Sequence, residues 1–382
     1  MIYLKPLQLR SGLVTAQSVL NDDGSIMIAR GAVLLERHVE RLRQLRVPGL
    51  VVTSLSPTWA PPPPFEMVAE NLRADAVKSV AEVFHQLVET GQLDLALLQF
   101  TADLLLASMQ KDFYLVQETE LRMPNAYLYA HSVNVAILSG MLGLLCGYPQ
   151  DSLRVLMLGG LLHDMGTLSV PKNILNKPVA LTNEEFALIR RHTSLGTLPL
   201  QSLPANVMEL VTLIVNQHHE HMDGRGYPRG LRGEQIHPFG RIVAIADVYD
   251  ALSSTRPYKK PYRPHVVHRL MTHASKGHFD PVLLEQFFRN IAVYPVGTTL
   301  KTRFGFAIVR QVTFGRTMTP IITVFADKEG RVLPNPFHVD LSQCPPQMIH
   351  CVMEDAELMI FVHHTGFDPV QCLKEPITSV SA

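Results

Sequence analysis

Cysteine is scarce. Cys146, Cys344, Cys351 and Cys372 are the four in 382 residues, and they show neither C-x-x-C nor paired spacing. This reads as reduced thiols in a cytoplasmic protein and argues against a cysteine-built zinc site. Charge excess is lacking as well, since Lys plus Arg and Asp plus Glu both number 34. Nothing in that balance favours a nucleic-acid polymer or an acidic membrane, so any anion must be caught locally. No apolar signal-peptide core follows MIYLKPLQLRSG, and the longest uncharged apolar-rich stretch, VAILSGMLGLLCGY, is shorter than a membrane span requires. A cytoplasmic chain without membrane attachment is expected.

Histidine is what the sequence has in quantity. Of 17 in the chain, eleven fall between His131 and His278. The chain is long enough for two or three domains, and its pattern divides it. Residues 1–56 alternate short apolar runs with turns and read as a small α+β module, followed by a stiff proline-rich linker, 57–64. From Phe65 to Asn290 the pattern is helical: connecting helices over 65–110, with apolar steps at Val68, Leu72, Val80, Val83, Leu87 and Val88, then a helical domain over 111–290. Packing against the rest of the chain is the leading reading of the first two helices, and a homodimer contact the minority one. A small β segment, 291–343, and a tail, 344–382, to which no structure is assigned, complete a mainly α chain with a β-rich end.

Within the helical domain, single polar residues stand in apolar surroundings. His131 enters one amphipathic helix, His163 and Asp164 close the run VLMLGGLL, and His192 ends EEFALIRR. His218 and His219 end LVTLIVNQ, and Asp247 lies inside RIVAIADVYD. Singly, each is more often a hydrogen-bonded core group than a ligand. Together they put ligand-type side chains on several helices facing one apolar core, the arrangement by which bundles hold paired metals. Adjacent residues on a helix diverge by about 100°, so the neighbouring pairs suit two metals better than one. A buried cation also removes the cost of an unpaired carboxylate at Asp247. If Asp164 bridges, the seven residues supply about eight of roughly twelve bonds to two octahedral ions, leaving room for a bridging hydroxide and substrate oxygens. The N,O donor set favours Fe or Mn, with Zn, Co or Ni open.

The order His131, HD at 163–164, His192, HHE at 218–220, DGRGYP at 223–228 and ADVYDALSSTRPYK at 246–259 resembles the bacterial HD-GYP domain. The resemblance implies an HD-type helical bundle that hydrolyses cyclic di-GMP to pGpG, and in some members on to GMP, at a two- or three-metal centre. It places the same seven residues as metal ligands, with His163 and Asp164 at the catalytic core. It puts Arg256 and Lys259 on the substrate phosphates and Asp250 beside them. The turn Gly226–Tyr227–Pro228 is implied to line the substrate pocket through Tyr227 or to meet a GGDEF-domain partner. His221 and His237 match no ligand position and are left as surface histidines.

Two positions depart from that pattern. Family members usually carry HD-x-G-K, whereas this chain has Thr167 and so lacks one phosphate-binding cation. Tyr127, one helical turn before His131, stands where three-metal members have a glutamate, so two metals are expected. The leading reading is a cyclic di-GMP phosphodiesterase. A weak or inactive module that binds cyclic di-GMP or a GGDEF partner is the alternative, and cyclic GMP-AMP or another nucleotide remains open as substrate.

Overall fold

The computed structural model describes residues 2–21, 25–45, 47–53, 67–109, 120–122, 127–175, 177, 179–202, 205–254 and 261–374. The linker 57–64 and the expected phosphate contacts Arg256 and Lys259 lie outside them. In the N-terminal module, β1 (Ile2–Leu4) pairs antiparallel with β4 (Leu50–Val52), and β2 (Ser18–Leu20) pairs antiparallel with β3 (Ile26–Ile28). Helix α1 (Glu36–Gln44) buries Val39 and Leu42 in the core formed with these strands.

Helices α2 (Glu70–Thr90) and α3 (Leu95–Met109) pack on the central bundle through Val77, Val80, Phe84, Leu98, Leu105 and Met109. Val88 departs from the expected apolar face and is exposed. The helical reading of 65–290 is interrupted by β5 (Glu120–Arg122), which pairs in parallel with β2 and completes a three-stranded sheet with the N-terminal module. Three residues are too few for an alternation to show in sequence.

The bundle is built from α4 (Tyr127–Leu145), α5 (Gln150–Leu162), α9 (Ala205–Gln217) and α10 (Pro238–Ser253). Short helices α6 (Lys172–Leu175), α7 (Asn183–Arg190) and α8 (His192–Leu195) lie between α5 and α9. Helix α4 starts earlier than the uncharged run suggested, and by length and composition it is long and apolar enough to cross a membrane. In this fold 83% of its apolar window is buried against the other helices, as an all-round apolar core helix should be.

Helices α11 (Pro264–Arg269) and α12 (Pro281–Asn290) lead to a five-stranded sheet. It contains β6 (Thr299–Thr302), β7 (Gly305–Gln311), β8 (Ile321–Ala326), β9 (Val332–Asp340) and β10 (Ile349–Val352), in the order β10-β6-β7-β8-β9 with every neighbour antiparallel. Part of the tail 344–382 therefore belongs to the sheet. The tail also supplies α13 (Asp355–Thr365), which places Leu358 in the N-terminal core and Phe361 against the sheet. The architecture is mainly helical with an α+β start and a β-rich end, as the sequence indicates.

Candidate metal centre

Each helix of the bundle delivers its polar side chains to one place. Helix α4 carries His131 in its second turn, and α5 runs into His163 and Asp164 before a 3₁₀ turn, Met165–Ser169. Helix α8 opens on His192, α9 leads into His218 and His219, and α10 carries Asp247 and Asp250. Close packing sets the 3₁₀ turn against α8. A Cβ on Gly166 would stand 2.0 Å from the His192 carbonyl oxygen and 2.6 Å from the Gly196 nitrogen, both backbone atoms that cannot swing aside. Gly166→Ala is therefore expected to force the turn off α8, at a cost of at least about 1–3 kcal/mol, and to lower metal content with it. Thermal melting and metal analysis of the variant check this; a native melting temperature would show that the turn yields freely.

The seven expected ligands converge. Asp164, His192, His218 and His219 each offer a ligand atom within 4.8 Å of the others, and His131, His163 and Asp164 form a second such group. Asp164 belongs to both. Its Oδ1 faces His192 Nε2 at 3.3 Å and His218 Nε2 at 3.9 Å, while its Oδ2 faces His163 Nε2 at 3.6 Å and His131 Nε2 at 3.8 Å. Asp247 lies outside both groups yet spans them, with Oδ1 3.1 Å from His131 Nε2 and Oδ2 3.8 Å from His219 Nδ1.

The histidine tautomers are set by the backbone. His163 Nδ1 donates to the Gly160 carbonyl at 2.8 Å, His192 Nδ1 to Ile189 at 2.6 Å and His218 Nδ1 to Val215 at 3.0 Å. A neutral imidazole that donates from Nδ1 keeps its lone pair on Nε2, and all three Nε2 atoms face Asp164. His163 Nε2 is fully buried and has no hydrogen-bond partner among the described residues. A buried ring nitrogen left unpaired is costly, and a cation at this point removes the cost. The donor set fits a pair of divalent ions held by nitrogen and oxygen.

Asp250 departs from expectation. It is 1% exposed and accepts from His131 Nδ1 at 2.6 Å, Asn134 Nδ2 at 2.9 Å and Ser254 Oγ at 2.8 Å, an arrangement that orients the His131 ring. Thr167 lies in the 3₁₀ turn with its hydroxyl donating to the Asp164 carbonyl at 2.6 Å. Tyr127 stacks on His131, with centroids 5.5 Å apart and planes 9° apart.

Burial and neighbouring charge prepare the donors. Burial disfavours the charged Asp164 and Asp247, but the surrounding imidazoles outweigh it and hold both carboxyls below the usual carboxylate range. Burial lowers His163, lowers His218 strongly and brings His219 to about 4, so these rings are neutral at pH 7. Burial opposes the charge on His131 too, yet Tyr127, Asp247 and Asp250 raise it well above the ordinary histidine value. The site is open on one side: Asp164 and His219 keep 20% and 26% of their side-chain surface, against 0–3% for His131, His163, His192 and His218.

The Tyr227 ring closes part of that side by stacking on His219, centroids 4.7 Å apart, with its edge toward His192. Burial and the nearby carboxylates push its phenol above the usual tyrosine value, so it stays neutral. The Gly226 backbone lies so close to the preceding segment that a Cβ would fall 2.3 Å from the His221 nitrogen. Buried Glu220 holds the turn from below, accepting from the backbone nitrogens of Arg229 at 2.7 Å and Leu231 at 2.8 Å. Nothing in the sequence assigns Glu220 a role beyond its place in the run HHE, beside His218 and His219. His221 packs on His278, and His237 caps α10 by accepting from the Phe239 nitrogen, so neither is merely a surface group.

Residues 115–283 match the HD domain family. The chain is 39% identical over 219 residues to a cyclic di-GMP phosphodiesterase of Pseudomonas aeruginosa, across 57% of this chain and 52% of that protein. It is 35% identical over 195 residues to a cyclic di-GMP phosphodiesterase response regulator of Xanthomonas campestris pv. campestris, across 49% and 51%. It is also 35% identical over 156 residues to a 3'3'-cGAMP-specific phosphodiesterase of Vibrio cholerae, across 41% and 30%. The chain spans about half the length of the first two relatives and 30% of the third.

Proposed function

We propose that residues 115–283, which match the HD domain family, form a domain of the HD-GYP kind, and that this chain is a metal-dependent phosphodiesterase that hydrolyses cyclic di-GMP to pGpG. The observation that carries the reading is Asp164, whose two oxygens face separate histidine pairs, so that this one carboxylate would serve both groups of donors. His131, His163, Asp164, His192, His218, His219 and Asp247 would hold two divalent ions, iron or manganese, which supply a nucleophile at neutral pH and neutralise phosphodiester charge. Tyr127, flat against His131, takes the flank where an acidic side chain would add a third ligand set.

The protein's own residues do the remaining work. Burial of the histidines keeps bulk water from their nitrogens, and the backbone carbonyls of Gly160, Ile189 and Val215 keep each ring aimed. Tyr227 covers part of His219 and leaves the Asp164 side as the approach for substrate. Arg256 and Lys259 supply phosphate-binding cations.

Thr167 favours the second reading, a weak or inactive binding module. Its hydroxyl proton is committed to the Asp164 carbonyl, and it brings no charge. Thr167→Lys loses that one bond and adds a charge-assisted contact of about 1.5–3 kcal/mol, so kcat/KM for cyclic di-GMP is expected to rise about tenfold. An unchanged or lower value would mean that the turn needs its threonine.

Product analysis of the metal-loaded protein with cyclic di-GMP and with 3'3'-cGAMP in parallel tests the proposal. Linear pGpG, formed at the higher kcat/KM, is expected. Preference for 3'3'-cGAMP would overturn the substrate, and binding without product from either would leave the binding module.

A further inference from the structure

We infer that Arg190 is a second anion-binding group of this site and holds the non-scissile phosphodiester of a cyclic dinucleotide. The inference rests on the phosphodiesterase reading above. Arg190 ends α7, two residues before the ligand His192. Its guanidinium lies over two rings, 4.5 Å from the centroid of Phe186 and 4.9 Å from that of Tyr227. Tyr227 is the ring stacked on His219, so Arg190 is the next group outward from the ligand cluster on the open side.

The side chain is exposed, and among the described residues no carboxylate and no hydrogen-bond acceptor engages its guanidinium. Glu185, on the same helix, is already taken by Lys177 at 2.6 and 2.7 Å. The two rings hold the guanidinium by cation–π attraction, which occupies no oxygen acceptor. The guanidinium keeps the fork of donors that fits two phosphate oxygens.

The substrate class needs such a group. A cyclic dinucleotide carries two phosphodiesters, and with one at the His/Asp cluster the other is left with a negative charge several ångströms away. Thr167 brings no cation to it. Arg190 touches none of the ligand residues through a polar contact, so its removal leaves the ligand set intact.

A contact to the part of the substrate that does not react acts on the ground state and transition state alike, and so appears in KM. Arg190→Ala is expected to raise KM for cyclic di-GMP about tenfold to a hundredfold, with kcat and metal content close to wild type. Arg190→Lys should recover part of the loss by charge alone. Bis(p-nitrophenyl) phosphate, which has a single phosphodiester, serves as the control, and Arg190→Ala should hydrolyse it as wild type does.

Equal losses on both substrates, or a fall in metal content, would assign Arg190 to supporting Tyr227 and overturn the inference. Unchanged KM for cyclic di-GMP in an active wild-type background would overturn it as well, while sparing the phosphodiesterase reading. Calorimetric titration of cyclic di-GMP into both loaded proteins separates the remaining case, since a wild type that neither binds nor hydrolyses it removes both proposals together.

Discussion

Asp164→Asn is expected to strip both ions from the centre and to lower turnover of cyclic di-GMP by at least about a hundredfold. Residues that merely orient a ligand already cost about tenfold to a hundredfold when lost, and Asp164 contacts both groups directly. Its oxygens stand 3.3–3.9 Å from four imidazole nitrogens, two on each side. The amide that replaces it is uncharged and turns an N–H₂ toward one of those pairs, where a cation would have to sit. Without that negative charge, the ions would have only Asp247 to offset them. Metal content per chain by plasma mass spectrometry, beside turnover on the same sample, decides the matter. Two ions retained would show that Asp164 does not join the two groups.

Asp250→Ala is expected to have the next largest effect, and an asymmetric one. The carboxylate is buried and satisfies His131, Asn134 and Ser254, so its loss leaves three buried donors without their acceptor. At about 1–3 kcal/mol for each unsatisfied group, the melting temperature should drop by several degrees or more. His131 loses the partner that holds a proton on Nδ1 and keeps Nε2 turned toward Asp164 and Asp247. Only the group of His131, His163 and Asp164 depends on that ring. Metal content should therefore fall from about two ions per chain toward one, whereas Asp164→Asn loses both. Asp250→Asn preserves the shape and separates folding from ligation. If it folds normally and keeps both ions with native affinity, Asp250 does not position His131.

Much of the His/Asp cluster is legible in the sequence because an apolar run makes isolated polar groups conspicuous. His163 and Asp164 end a run of apolar residues, and Asp247 lies within one, where a charge without a partner would be unstable. What the sequence hid were relations between distant residues. Asp250 reads like Asp247, three residues earlier on the same helix, and only the packing of α10 on α4 shows that it faces His131 and Asn134, more than 110 positions away. Arg190 reads as one of two arginines at a helix end, and the rings that hold it come from α7 and from the turn at Tyr227. In the tail, β10 is four residues long with mixed burial, and its partner β6 lies about fifty residues earlier, so neither periodicity nor a local turn announced it.

The measurement that tests the account most directly is turnover of cyclic di-GMP by anaerobically purified protein, with iron and manganese determined on the same sample. Linear pGpG as product and about two ions per chain are expected. A protein that carries both ions and yields no product would contradict the phosphodiesterase. One that yields product with its ions removed by a chelator would contradict the metal centre itself.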